Sequence, residues 1–273
     1  QLPSLDMIAK EKNRARVAAV TGANGAIGTA IARQIAATPG HEVVLVCRDG
    51  DKAAHCAEGI SRATGNPRVR YVLADLSNRA SIDALAQSWE GPLDILVNNA
   101  AIAPRHRTLT PQGIEMQFAT NVLGYFWTIN AFTDHLGQGS AARIINVASY
   151  WAGGLALGDL EFEKRPYDND AAYRQSKQAD RMLSCAFARR LQAHGIAVNA
   201  CHPGDVDSTL SNDLGFGGHE SPDAGAQTPV WLAISESTGH YTGKYFEHKR
   251  EVACRFSANP ESVEALFAVC ETY

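Results

Sequence analysis

Apolar residues run through this chain in short β-rich blocks separated by longer stretches of helical periodicity. The blocks are Val17–Val20, Val43–Val46, Val69–Leu73, Leu93–Val97, Ile144–Val147 and Ile196–Ala200, with Thr242–Phe246 as a last strand. Nearly continuous β-rich runs of this kind predict strands buried on both faces, the environment of a parallel sheet between two helix layers. Helix-length patterns fall between them, over Ile27–Ala37, Arg79–Trp89, Pro111–Leu136 and Ala171–His194. The alternation predicts an α/β fold, a doubly wound (Rossmann) parallel sheet of about seven strands with helices on both faces. Residues 1–13 are polar and aperiodic and are expected to form an N-terminal arm. No composition break follows, so 14–273 is expected to be a single dinucleotide-binding and catalytic domain. Two segments, Tyr150–Asp170 and Gly204–Asp223, are too long to be plain connectors. They follow strands, and ligands in such folds bind at the carboxyl ends of the strands.

The glycines sharpen this picture. Directly after the first block comes Thr21-Gly22-Ala23-Asn24-Gly25-Ala26-Ile27-Gly28, opening a helix. Small residues here let the chain turn sharply and let backbone N–H groups approach a pyrophosphate at the helix start. Gly22, Asn24, Gly25, Ala26, Ile27 and Gly28 are therefore expected to bind a dinucleotide. The group that reads the adenosine ribose is expected about 20 residues on, where the chain has Cys47-Arg48-Asp49. An acid at the strand end would favour the free hydroxyl of NAD(H), and Asp49 turned inward would serve. Cys47 stands there instead, and the Arg48 guanidinium suits a 2′-phosphate. NADP(H) is the expected cofactor, with NAD(H) as the alternative.

Charge and composition remove several function classes. With 25 basic and 29 acidic residues the formal charge is -4, which gives no pull toward nucleic acid or anionic membrane. The six cysteines form no C-x-x-C pair and the nine histidines no H-x-x-x-H spacing, so no metal site is expected. Scattered cysteines of this kind suit a reducing intracellular compartment, cytoplasmic by default. No stretch approaches the ~20 apolar residues of a membrane span. The chain begins at Gln1, which leaves an organelle signal or an upstream anchor open.

Candidate chemistry lies in Tyr173-Arg174-Gln175-Ser176-Lys177, within a helical pattern. Positions i and i+4 share one face, so the phenol and the ammonium project together. A cation beside a phenol favours the phenolate and fits it for proton transfer. The same spacing recurs at Tyr245 and Lys249, but in a strand pattern, where period-two geometry does not bring the two side chains to helical reach. The block ending in Val147 leads to Ala148-Ser149, placing a hydroxyl at the sheet edge where it could stabilise charge on a substrate oxygen. Asn121 is a polar residue amid Phe118, Val122 and Leu123.

Taken in order across almost the whole chain, these pieces resemble the short-chain dehydrogenase/reductase superfamily. The carriers are the glycine turn, Asp75-Leu76, Asn98-Asn99-Ala100-Ala101, Asn121, Ser149, Tyr173-x-x-x-Lys177 and Pro203-Gly204. The resemblance is greatest to the retinol dehydrogenase and WW-domain oxidoreductase branch, through Asp159–Lys164, His202-Pro203-Gly204, Thr242–Phe246 and the 24 positions separating Ser149 from Tyr173. Ala26, Ala101 and Ser208 depart from the usual glycine, glycine and threonine.

The resemblance implies a catalytic tetrad of Asn121, Ser149, Tyr173 and Lys177, with the asparagine holding a relay water and the lysine gripping the nicotinamide ribose. It places Asp75, Leu76, Asn98 and Ala100 on the adenosine side, and Pro203, Gly204, Val206 and Ser208 at the carboxamide end. The expected activity is hydride transfer between NADP(H) and a carbonyl or alcohol. Tyr150, Trp151, Leu155 and Leu157 on one long loop, with Leu210, Leu214 and Phe216 on the other, are expected to meet a small hydrophobic ketone, aldehyde or alcohol. Packing of the loops by the same residues is the plainer alternative. Tyr125-Phe126-Trp127 reads as core or subunit contact, and a homodimer is among the expectations. An NAD-linked alcohol dehydrogenase and a non-catalytic NADP(H)-sensing scaffold are the competing functions.

Overall fold

Seven strands run parallel in a computed structural model that describes residues 14–273; the arm expected over 1–13 lies outside the described residues. They are β1 (Arg16–Thr21), β2 (His41–Cys47), β3 (Val69–Leu73), β4 (Ile95–Asn98), β5 (Arg143–Val147), β6 (Ala197–His202) and β7 (Tyr245–Glu247), joined by an antiparallel β8 (Arg250–Val252). Their spatial order is β3-β2-β1-β4-β5-β6-β7-β8. The order reverses at β1, which pairs with β2 on one side and β4 on the other, so a crevice opens between the loops that leave β1 and β4.

The eighth strand extends the expected sheet of about seven. It turns on His248 and Lys249, both with positive φ (47° and 59°), the backbone of a two-residue hairpin turn that glycine or asparagine usually supplies. With neither residue present, the turn carries no sequence signal. A second correction concerns β3, which was expected to be buried on both faces. It is the sheet's edge, and Tyr71 and Leu73 are 41% and 51% exposed.

Helices α1 (Ala26–Ala36), α2 (Gly50–Thr64) and α7 (Pro222–Ile234) bury one sheet face around Ile31, Ile35, Val43 and Leu45. Helices α3 (Arg79–Ser88), α4 (Gly124–Gly137), α5 (Asn169–Leu191) and α8 (Pro260–Glu271) bury the other. There the rings of Phe126, Phe187 and Phe267 meet in pairs with centroids 5.0–5.3 Å apart. Between β6 and α7 lies a short α6 (Thr209–Asp213). Tyr125, Phe126 and Trp127 are all buried in the core of this one chain.

The helix expected over Pro111–Leu136 begins later. Thr110 and Ile114 close a turn through N–H···O bonds, and Gly113 with φ 84° completes it. The helix then runs through a π-helical stretch, Phe118–Leu123, before settling into α4. Such stretches recur at functional sites, and this one carries Asn121.

At the amino ends of the strands, Asp94 is fully buried and accepts from the Val17 and Ser140 N–H groups and from the Arg14 guanidinium. Burial alone would raise its carboxyl, but these donors hold it below the usual carboxylate range. That end of the sheet is a structural anchor, and the opposite end holds the cleft. No helix among the described residues is long and apolar enough to cross a membrane.

Candidate active site

Side-chain oxygens of Asp49, Asn78, Asp168, Ser221 and Asn259 cap α2, α3, α5, α7 and α8. Helix α1 differs. Its cap is Gly25, and no side chain accepts from its first-turn N–H groups. An uncapped amino end facing a crevice is a ready anion site. The approach to it is kept clear by missing carbons. A Cβ on Gly28 would lie 2.2 Å from the Gly22 carbonyl oxygen and 2.7 Å from Asn99 Nδ2, and one on Gly22 would lie 2.8 Å from Ala100 Cα. This cradle fits the pyrophosphate of a dinucleotide.

The cleft, of about 580 Å³, is lined by Gly22, the run Asn24–Gly28, Arg48, Asp75, Leu76, Ala100 and Ser208, all of them expected. Asp75 is fixed there because its Oδ1 accepts from the Ser77 N–H and hydroxyl at 3.0 and 2.7 Å. Arg48 is exposed on the cleft. Asp49, the residue that could have read a free ribose hydroxyl, spends Oδ1 on the Lys52 N–H and has Oδ2 3.7 Å from the Lys52 ammonium.

Asn98 is a correction. It is 1% exposed and donates inward to Asn146 Oδ1 at 3.0 Å. Its neighbour Asn99 lines the cleft instead and donates to the Thr21 carbonyl oxygen at 3.1 Å. One step along a strand reverses the face, and the repeated asparagine hides which of the two points outward. Lys52 and Asn99 were both missed by sequence reasoning; a lysine one turn into the helix after Arg48 was the available signal for the first.

A second cavity of about 550 Å³ adjoins the first, sharing Ile27, Ser208 and Leu210. Ser149 and Tyr173 line it. The Ser149 oxygen accepts from the Trp151 N–H at 3.0 Å, so the serine's own proton is available to the Tyr173 oxygen or to a substrate oxygen between them. Burial pushes the Tyr173 phenol well above its usual range; a hydrogen bond from Ser149 opposes this, while the charges of Asp180, Asp170 and Asp205 add to it.

Tyr150, Trp151, Leu210, Leu214 and Phe216 line this cavity as expected, together with Pro203, Gly204, Val206 and Ser208. Leu155 does not. It packs against the hydrophobic core, and its N–H donates to Gln178 Oε1 at 3.1 Å. Leu157 is 39% exposed and also outside the cavity. Beyond Gly153 and Gly154 the loop leaves the cleft and returns to it only at its last residue, Asp170. Asp170, His202 and Asp205 line the cavity without having been expected. Burial holds the His202 imidazole down to about 4, so it is neutral at physiological pH.

Lys177 and Asn121 stand behind this wall rather than in it. Lys177 is 2% exposed, with Nζ 5.7 Å from the centre of the Tyr173 ring. Asn121 is fully buried; its Oδ1 accepts from the Ile102 N–H and its Nδ2 donates to the Ile102 carbonyl, both at 2.9 Å. The same Nδ2 is 3.2 Å from Ser176 Oγ. The rival pair is separated, as expected: Tyr245 sits in β7 and Lys249 in the turn beyond it.

Residues 16–215 match the short chain dehydrogenase family. Mouse retinol dehydrogenase 13 is 38% identical over 264 residues, covering 89% of this chain and 79% of its own. Human retinol dehydrogenase 12 is 34% identical over 272 residues, covering 94% of this chain and 85% of its own. Among solved structures, an uncharacterised protein of Mycobacterium paratuberculosis superposes with a TM-score of 0.79 at 28% identity, covering 95% of this chain and 93% of its own. Order of strands, glycine cradle and relatives agree: the chain belongs to the short-chain dehydrogenase/reductase superfamily, in its retinol dehydrogenase branch.

Proposed function

We propose that this oxidoreductase uses NADP(H) to interconvert a hydrophobic ketone or aldehyde and its alcohol, with reduction as the favoured direction. The observation that carries the reading is the Ser149–Tyr173 pair in the wall of an aromatic-rimmed cavity that opens directly onto the dinucleotide cleft. Gly22, Asn24 to Gly28, Asp75, Leu76 and Ala100 hold the dinucleotide's adenosine and pyrophosphate. Pro203, Gly204, Val206 and Ser208 border the nicotinamide end. When bound, the nicotinamide supplies hydride to a carbonyl carbon or accepts it from an alcohol.

The chain's own groups handle the oxygen. Tyr173 gives its proton to the substrate oxygen in reduction and takes it back in oxidation. The phenol's proton is in place at neutral pH for donation in reduction, and oxidation requires the phenol to lose it first. Ser149, with its oxygen held by the Trp151 N–H, donates to the same substrate oxygen as negative charge grows on it. Lys177 stabilises the phenolate from behind. Asn121 fastens Ile102 and Ser176 and so fixes the floor on which the tyrosine helix rests.

Cofactor preference follows from Arg48 and Lys52, two cations on the cleft wall, and from Asp49, whose carboxylate is already committed to α2. Substrate class follows from Tyr150, Trp151, Leu210, Leu214 and Phe216, which present apolar surface to the cavity.

The test is NADPH consumption over a panel of aromatic and aliphatic carbonyl compounds, with Tyr173→Phe as control. The variant should lose about 10³-fold in kcat/KM with dinucleotide affinity nearly unchanged. Near-full activity in that variant would sink the assignment. Better turnover with NADH would make the chain an NAD-linked dehydrogenase. Tight NADPH binding with no turnover of any carbonyl would make it a nucleotide sensor.

A further inference from the structure

Behind Tyr173 the lysine of the mechanism above forms an ion pair whose acidic member that mechanism does not use. Lys177 Nζ is 3.1 Å from Asp180 Oδ2, and the two side chains are 2% and 0% exposed. The ammonium also donates to the Val147 carbonyl at 3.0 Å and lies 3.5 Å from the Tyr125 hydroxyl. All three contacts face the interior, away from the cleft. Asp180 Oδ1 has no hydrogen-bond partner. Burial pushes the carboxyl up to about 7 against the pull of the lysine, so it is ionised over the alkaline range in which alcohol oxidation rises, and there the lysine compensates its charge almost alone.

The surroundings supply little further charge. The Tyr125 phenol on α4, the Cys201 thiol on β6 and the Cys270 thiol on α8 are all pushed upward by burial and stay protonated. On α5 itself, Arg181 turns the other way, stacking over the Tyr245 ring at 3.6 Å and reaching the Ser149 carbonyl at 3.4 Å. Asp170 on α5 and Asp205 beyond β6 face Tyr173 from the cavity side. A bare lysine at this depth would favour the phenolate strongly, whereas one matched by a carboxylate a single turn away does so only weakly.

We propose that Asp180 is a positioning residue for this reaction: it draws the Lys177 ammonium inward against Val147 and masks its charge from Tyr173. The carboxylate thereby keeps the phenol protonated and biases the site toward proton donation. This inference rests on the reading of Tyr173 as the acid/base group.

Asp180→Asn keeps the shape and removes the charge. Loss of a nearby negative charge and unmasking of the ammonium act with the same sign, each making the phenolate easier to form. In alcohol oxidation by the full chain, the rise of kcat/KM with pH should therefore move to lower pH by about one unit. A purely structural role would lower the rate without moving that midpoint. Asp180→Ser, smaller and also neutral, repeats the measurement if D180N does not fold. A midpoint unchanged from the parent enzyme overturns the proposal.

A readout free of turnover uses carboxyl ¹³C NMR of the protein without cofactor. The resonance that D180N or D180S removes should titrate at higher pH in Lys177→Met, because the cation favouring its ionised form is gone. An unshifted resonance overturns the pairing. The two readings fail separately: an active Y173F removes Tyr173 from the chemistry, while an inactive Y173F with an unmoved D180N midpoint removes only the role of Asp180.

Discussion

On the glycine-turn side of the cleft the walls are strand ends, a helix start and glycines with no room for a side chain; around the second cavity, beyond Ser149 and Tyr173, they are mostly side chains carried by loops. The first wall is set by backbone. Thr21 Oγ1 accepts from the N–H groups of Asn99 and Ala100 at 2.9 and 3.1 Å, tying the β1 and β4 ends together beneath the cleft. The second wall is set by Tyr150, Trp151 and Phe216, which are 47%, 42% and 54% exposed. A wall made of backbone tolerates almost no change, because a displaced carbonyl has nowhere to go. A wall of half-exposed rings can exchange shape for shape. On the proposed function, the contrast makes the first a cofactor site that the fold dictates and the second a substrate site that the loops decide.

The sharpest way to break this contrast is to fill the cradle. Gly28→Val places carbon where the Gly22 carbonyl and the Asn99 amide already stand, so the turn has to open or the pyrophosphate is excluded. Dinucleotide affinity should fall by more than ~100-fold, read by quenching of protein fluorescence on NADPH titration. Affinity within threefold of the parent enzyme would show that the turn is not the pyrophosphate site.

A smaller effect is expected at the edge of the same wall, where a side chain does the recognition. On the proposed NADP(H) reading, Arg48→Ala would remove a charge-assisted contact to the 2′-phosphate, a contact of ~1.5–3 kcal/mol. The ratio of kcat/KM for NADPH over NADH should drop by about 10–100-fold, with NADH turnover little changed. Lys52→Ala should act in the same direction and less strongly, since part of its charge is already spent on Asp49. Equal losses with both cofactors would mean that Arg48 supports the loop rather than reading the phosphate.

The same division explains what could be read from the chain. Strand–glycine turn–helix is a local pattern, so the dinucleotide wall from Gly22 to Gly28 was legible, as were Arg48, Ser149 and Tyr173, each one step beyond a recognisable element. Lys177 was legible through its spacing, but its partner was not: nothing local to the sequence marks Asp180 as a buried residue. The ion pair of Asp180 with Lys177, whose ammonium also meets Val147 and Tyr125, depends on how α5 meets β5 and α4. Asn98 and Asn99 carry the same side chain on opposite faces, which pattern alone does not separate. Leu155 fails for a similar reason. An apolar residue on a long loop suits core and cavity equally, and the turn through Gly153 and Gly154 decided for the core.

Phe216 gives the smallest effect and the finest test. Its ring is 54% exposed, so a substrate covers only part of it, and truncation should cost ~1 kcal/mol against the ~1.5–3 kcal/mol of a fully buried side chain. Phe216→Ala should raise KM about fivefold for a bulky aromatic ketone and hardly at all for a small aliphatic one, leaving NADPH affinity within twofold. Leu210 is the internal control because it lines both cavities; Leu210→Ala should move substrate KM and cofactor affinity together. If F216A weakened NADPH binding as much as L210A does, the loop would be closing over the dinucleotide as well. The two walls would then have to be treated as one.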